Sequence, residues 1–327
     1  MTLRRFTACV MVGAVVSCLP ARALAQQANR YALVVAGASG EEKYAKLHRE
    51  WVNKLVTLLK GKFAMDAQHL TVLTETPAAG ESAANAVNVK AALEKIAPQI
   101  KKDDVLFVML LGHGSGRDAE AKFNLVGPDM TAAEWNALLA PAAGRIAFVD
   151  ASSASAGFLK TLAAPERVII TATNSPAQVY HPVYGGMFID ALSDAAADLD
   201  KDTRISMWEA FVFASKLVEQ HYQRAGTLAP EKAILEDTAD GAGRDAAAKP
   251  AGVTLSSMTY LDAPAVAKSA DPAVQALLDK RDALTRQVDE LRRRQASMPA
   301  AEFEQQFEKL AVELAEVSAE IRRKGGI

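Results

Sequence analysis

The chain has 327 residues, 50% of them hydrophobic, and a formal net charge of -2. That length fits one medium domain with an appendage, or two small domains, and supplies a sizeable core. The near-neutral balance gives no electrostatic footprint for nucleic acid, so no nucleic-acid partner is expected.

Residues 1–25 read as a secretory signal peptide. Arg4 and Arg5 form a basic start, and the apolar stretch from Phe6 to Leu19 is too short to span a bilayer comfortably. Ala23-Leu24-Ala25 is a small-residue cleavage site that leaves Gln26 as the mature N-terminus. An uncleaved anchor is the alternative, but no stop-transfer pattern follows; Val15-Val16-Ser17 is a poor approach to a lipidated Cys18. A periplasmic or secreted protein follows, with no membrane span after signal cleavage. Both cysteines, Cys9 and Cys18, lie inside the signal. The mature chain then has no disulfide, no thiolate metal site and no cysteine nucleophile.

From Tyr31 short apolar runs alternate with helical stretches. Tyr31 to Ala36 is a buried strand followed by a Gly-Ala-Ser-Gly turn, and His48 to Lys60 carries Trp51, Leu55, Val56, Leu58 and Leu59 at helical spacing. Leu70 to Thr74 reads as a strand and Asn88 to Ile100 as an amphipathic helix. Val105 to Leu111 is a continuous apolar strand ending at Gly112-His113-Gly114-Ser115-Gly116. Arg145 to Val149 is another, ending at Asp150-Ala151-Ser152-Ser153, and Val168 to Ala172 a further one. Helices fit between them at Ala132 to Leu139 and Phe158 to Leu162. Apolar strands separated by helices predict a mostly parallel sheet covered on both faces. Functional groups gather at the carboxyl ends of such strands, where His113 and Ser152 sit. His48, His69, His181 and His221 are scattered without metal-ligand spacing and read as surface or helix residues.

Met187 to Leu192 and Ile205 to Tyr222 read as helices. Between them, Asp198-Leu-Asp200-Lys-Asp202-Thr-Arg204-Ile205-Ser206-Met-Trp-Glu209 matches an EF-hand loop at most positions. Carboxylates at positions one, three and five, the Arg204 backbone carbonyl at seven and a bidentate Glu209 at twelve would surround Ca²⁺ with oxygens. Thr203 occupies position six, where the sharp turn favours glycine. The second reading is a solvated acidic turn that caps the helix beginning near Ser206.

Residues 242–270 read as a linker with one strand, Val253 to Leu261. Asp271-Pro272 is a helix start. Leu277, Leu284, Val288 and Leu291 form one apolar stripe, Ser297-Met298-Pro299 breaks it, and Phe303, Phe307, Leu310, Leu314, Val317 and Ile321 form a second. This heptad-like spacing predicts a coiled-coil hairpin over 271–324. It packs on the main domain, forms a homo-oligomer, or holds a partner.

The strand ending in Leu-Leu-Gly-His113-Gly114-Ser115-Gly116, followed by the strand ending in Val-Asp150-Ala151-Ser152, resembles the legumain family of caspase-like peptidases. In that family His-Gly follows one strand and Asp/Glu-Ala-Cys-x-Ser-Gly the next. Arg167-Val-Ile-Ile-Thr-Ala-Thr173 and Tyr184-Gly185-Gly186-Met187-Phe188 also look like its bacterial members. The resemblance implies a caspase-like three-layer α/β sandwich over 26–241. It makes His113 the family histidine, Gly114 its neighbour in the oxyanion region, and Ser152 the occupant of the cysteine position. Ala154 and Ser155 also depart from the family pattern, and Ser153 becomes the exposed residue if the turn shifts by one.

A serine hydroxyl is far harder to deprotonate than a thiol and needs a well-placed base. The reading favoured is a pseudo-peptidase that binds a peptide or protein partner. The alternative is an active hydrolase using Ser152 with His113, and a structural His113 is a third reading. No serine lies in Gly-x-Ser-x-Gly, which rules out the α/β-hydrolase pattern. No cofactor is required; Ca²⁺ in the acidic loop is the one ion considered.

Overall fold

The computed structural model describes residues 28–248, 252–263, 269 and 271–324. The signal peptide reading therefore lies outside the described residues. Five central strands carry the domain: β1 (Arg30–Ala36), β2 (Leu70–Thr74), β4 (Val105–Leu111), β8 (Arg145–Asp150) and β9 (Arg167–Thr171). With β3 (Ser82–Ala83) and β10 (Ile234–Glu236) they form one seven-stranded sheet in the order β10-β9-β8-β4-β1-β2-β3. Every pairing is parallel except that of β10 with β9.

Near-continuous apolar strands form the centre because both faces of the sheet are covered. Ala32, Val34 and Ala36 of β1 pack with one core, and Tyr31, Leu33 and Val35 with the other. The first core is closed by α1 (Glu42–Lys60), α5 (Tyr184–Ala191) and α6 (Met207–Arg224), through Leu55, Phe188 and Phe211 among others. The second is closed by α2 (Ala86–Ile96), α3 (Ala132–Leu139) and α4 (Ala156–Leu162), through Leu93, Trp135 and Phe158. This is the three-layer α/β sandwich expected from the sequence. Each fully buried Leu or Phe side chain contributes roughly 1.5–3 kcal/mol relative to exposure.

The short strands β5 (Gly114–Ser115), β6 (Lys122–Phe123) and β7 (Met130–Thr131) form a separate antiparallel sheet beside the β4 end. The first helix starts at Glu42, six residues before the expected His48, because its opening turn is largely charged and carries no apolar stripe. In α6 the start falls at Met207. Ser206 caps it and Glu209 reaches back, a reciprocal capping box that fixes the helix boundary.

The segment expected as a linker is packed, and the expected strand from Val253 to Leu261 is absent there. Ser256–Met258 form a 3₁₀ turn, Tyr260 bridges Ser206, and earlier in the segment Arg244 bridges Leu235. The hydroxyl of Thr259 donates to the Leu255 carbonyl at 2.7 Å and that of Ser257 to the Thr254 carbonyl at 2.9 Å. Local hydroxyl bonds of this kind satisfy the backbone within a turn and compete with a ladder. Leu255 and Leu261 are buried in the first core.

The tail is a helical hairpin of α7 (Pro272–Arg293) and α8 (Ala300–Arg323). Asp271 caps α7 by accepting from Ala273 N–H, with Pro272 in the first turn. Val274 and Leu278 near the start of α7 pack with Val317 and Ile321 near the end of α8, so the helices run antiparallel. Arg293 meets Glu166 of the sandwich at 3.0 Å, a partly exposed pair that adds little stability. No helix among the described residues is long and apolar enough to cross a membrane.

Leu255→Ala and Leu261→Ala should each cost about 2–5 kcal/mol in urea unfolding. A free linker at these positions would give changes within about 0.5 kcal/mol.

Candidate functional site

Parallel β1, β4 and β8 end side by side, so the turns that follow them meet. After β1 comes Gly37-Ala38-Ser39, after β4 Gly112-His113-Gly114, and after β8 Ala151-Ser152-Ser153. The glycine at 114 is required by this meeting: a Cβ there would lie 2.4 Å from the Ser153 carbonyl oxygen and 2.8 Å from Ser152 Oγ. The sequence thus brings His113, Gly114 and Ser152 to one end of the sheet, as expected.

It does not pair the serine with the histidine. Ser152 has no exposed surface; its Oγ donates to Asp150 Oδ1 at 2.6 Å, and its N–H donates to the same oxygen at 3.0 Å. His113 Nε2 instead faces the Ser39 carbonyl at 3.1 Å. Ser153, the shifted candidate, is also buried, with Oγ donating to the Gly114 carbonyl at 3.3 Å and lying 3.2 Å from Gly114 N–H. Gly114 N–H is accordingly directed at Ser153 rather than at open space. Asp150 is fully buried, and burial raises its carboxyl to about 6 against the opposing pull of the two Ser152 bonds.

The largest departure from expectation concerns two other histidines, read from the sequence as isolated. His48 of α1 and His181 of the loop after β9 lie next to His113. Their Nε2 atoms are 2.7 Å apart although the residues are separated by 133 positions. Tyr44 stacks on His181 with ring centroids 4.2 Å apart, and Trp51 tilts against both histidines. Gly186 makes room for Trp51, whose Nε1 would lie 2.6 Å from a Cβ at that position. Glu231 anchors the far end of the loop by accepting from Val183 N–H at 2.8 Å and Tyr184 N–H at 3.1 Å. No local pattern could have disclosed the cluster, since its members come from three separate elements. His69 and His221 stay apart, stacked on Tyr31 and packed edge-on with Tyr222 respectively.

Burial, reinforced by His113, lowers the His48 imidazole to about 4. Burial also lowers His181, with His48 and His113 adding to the effect, to about 3. Both rings are therefore neutral near pH 7.

The acidic loop has the oxygen donors of a hard-cation site. One carboxylate oxygen from each of Asp198, Asp200 and Asp202 lies within 4.8 Å of the others. Thr203 adopts φ +73°, the left-handed turn that position six demands. Burial and the neighbouring Glu209, Asp202 and Asp198 raise the Asp200 carboxyl, partly offset by Asp202 N–H. Glu209, however, already has both oxygens engaged. Oε1 accepts from Leu199 and Asp200 N–H at 2.8 and 3.2 Å, and Oε2 from Ser206 N–H and Oγ at 2.8 Å each. The Arg204 side chain turns away to Asp262 and lies 3.7 Å over the Tyr260 ring. The helix-capping role is thus fully formed, and Asp202 is engaged likewise, with Oδ1 accepting from Arg204 N–H at 2.7 Å and Oδ2 from the Tyr260 hydroxyl at 3.2 Å.

No protein-family model matches the chain, and no curated protein matches its sequence. Two solved structures are similar at low identity. A Geobacter sulfurreducens protein aligns with a TM-score of 0.42 and 11% identity, over 64% of this chain and 92% of that one. A secreted C11 cysteine protease from Bacteroides thetaiotaomicron, solved with an irreversible peptide inhibitor, aligns with a TM-score of 0.35 and 13% identity, over 64% and 66%. Neither likeness is close enough to bear on the chemistry of the site.

The depressed histidines make a pH prediction. An unfolded imidazole titrates near 6.5, the folded ones near 4 and 3, so the unfolded chain binds more protons in between. Their contribution is complete above about 6.5 and lost as pH falls towards 4. Asp150 acts oppositely between 3.8 and about 6, as do the raised carboxyls of Asp200, Glu231 and Asp289, so the histidine contribution is read from the difference between the intact chain and a histidine variant. The urea midpoint should fall from pH 7 to pH 5, and His48→Gln should flatten that fall. An unchanged pH profile in the variant would refute the assignment.

Proposed function

We propose that the chain is a caspase-like peptidase homologue without peptidase activity. It acts by binding a peptide or protein segment in the groove between the His113 and Ser152 strand ends. The observation that carries this reading is the inward-facing serine: Ser152 is fully buried with its proton directed to Asp150 Oδ1 at 2.6 Å. Acyl transfer needs an exposed nucleophile whose proton passes to a base in contact with it. Here the hydroxyl faces an interior carboxyl, and His113 Nε2 is engaged with the Ser39 carbonyl. Together with the absence of cysteine between Gln26 and Ile327, this leaves no attacking group in the position that the family resemblance implies.

The rim favours binding. Val179 and Tyr180 are 61% and 72% exposed immediately before His181. Their loop is tied to the serine turn by Ala154 N–H donating to the Gln178 carbonyl at 2.9 Å. Adjacent exposed apolar side chains beside a turn-lined groove suit a peptide with an apolar residue at that point. The competing serine-hydrolase reading requires the Ser152 hydroxyl to leave Asp150 Oδ1 and turn outward.

A fluorophosphonate probe should leave the purified protein unlabelled, while an immobilised peptide library should retain it. Tyr180→Ser should lower binding to retained peptides at least several-fold. Labelling at Ser152 that disappears in Ser152→Ala and in His113→Ala would overturn the proposal in favour of an active hydrolase.

A further inference from the structure

Three imidazoles converge at the carboxyl end of the sheet, and peptide binding gives no account of two of them. The His48 and His181 ring centroids are 5.0 Å apart with their Nε2 atoms facing each other. The His113 ring lies 5.1 Å from His181 and 6.3 Å from His48. The hydrogen bond between His48 and His181 is not a self-sufficient pair, because His48 Nδ1 is buried without a partner.

We propose that His48, His113 and His181 form a three-imidazole site for a divalent transition-metal ion, zinc foremost, with the fourth position left to water or an external donor. Tetrahedral zinc with Zn–N of about 2.0–2.1 Å holds its nitrogens about 3.3 Å apart and the ring centroids about 5 Å apart. His113 and His181 already stand at that separation, 5.1 Å apart, whereas His48 and His181 meet nitrogen to nitrogen and both rings must turn to aim their Nε2 lone pairs at one ion. The nitrogens of the three rings do not yet all lie within 4.8 Å of one another. Metal entry therefore parts the facing Nε2 atoms from 2.7 Å by roughly half an ångström and draws His113 inward from 6.3 Å.

The hydrogen bonding sets the tautomers for this. The Ser39 carbonyl can only accept, so His113 Nε2 carries a proton and Nδ1 is the nitrogen left to ligate a metal. A ligating histidine whose other nitrogen donates to a backbone carbonyl is the usual outer-shell arrangement at metal sites. Between His48 and His181, only one of the facing Nε2 atoms carries a proton in the neutral pair. On metal binding that proton moves to Nδ1 of its own ring, and both Nε2 lone pairs become ligands. Each imidazole stays neutral, and no proton need leave the site.

The surroundings agree. Burial keeps His48 and His181 unprotonated near pH 7, which removes proton competition for those two ligands. Tyr44 and Trp51 hold these rings in place by packing. An all-imidazole donor set selects zinc, copper or nickel over calcium and magnesium. The site is thus chemically distinct from the acidic loop, which offers only oxygens. It goes beyond peptide binding and does not depend on it.

The test uses the full untagged chain, stripped with a chelator and titrated with Co²⁺ in excess Ca²⁺, followed by displacement with Zn²⁺. The expected result is one equivalent of Co²⁺ giving the intense visible absorption of a tetrahedral site, bleached by Zn²⁺. His48→Ala and His181→Ala should each weaken Zn²⁺ binding by at least about 100-fold, since loss of outer-shell partners alone costs about 10–100-fold. His181→Gln, which keeps a hydrogen-bonding side chain beside His48, should lose the metal while retaining the thermal transition. Asp200→Ala and His221→Ala should leave affinity unchanged. No tetrahedral spectrum in the intact protein, or a spectrum that survives in the His48→Ala/His181→Ala double variant, would overturn the proposal.

Discussion

The hydrogen bond from Ser152 to Asp150 governs the character of this molecule. Asp150 is the last residue of β8 and has no exposed surface, so its carboxyl sits inside the sandwich rather than at its edge. Taking both the N–H and the hydroxyl of Ser152 folds the chain back over the strand end. Asp150 Oδ2 has no partner, and burial pushes the carboxyl up to about 6. Removing the serine would leave a buried carboxyl with fewer donors, so the pair is coupled to stability.

Around that inward turn the neighbouring segments lock in sequence. Gly114 approaches Ser152 and Ser153 too closely for any side chain, and Ala154 N–H ties the loop before His181 to the same turn. That loop places His181 against His48 of α1, and Glu231 closes its other end at the start of α5. The turn that carries Ser152 and the exposed residues before His181 are thus linked by a short run of backbone contacts. At these strand ends the His113 and His181 rings pack edge to face, and Val179 and Tyr180 stand exposed just before His181.

The layered sheet was legible in the sequence because its central strands are buried on both faces. Val105 to Leu111 and the helix from Ala132 to Leu139 match to the residue. Strands of two or three residues, such as Lys122–Phe123 or Ile234–Glu236, are too short to carry a period and were invisible. The packed segment around Leu255 and Leu261 was hidden by small and polar neighbours whose hydroxyls turn out to satisfy the local backbone. At the site, His113, Gly114 and Ser152 could be placed because each follows an apolar strand. The direction of the Ser152 hydroxyl could not, since it depends on a side-chain rotamer next to Asp150. His48 and His181 were beyond reach for another reason: only the three-dimensional adjacency of α1, the β4 end and the β9–α5 loop brings them together.

The account is tested most directly by putting a thiol where the hydroxyl is and measuring its reach. In Ser152→Cys, with His113 intact, alkylation by iodoacetamide should be slow in the native protein and become complete only on unfolding. Rapid native alkylation, accompanied by cleavage of peptide substrates, would mean that the side chain at this position faces the groove, and the inward-turned site would be wrong.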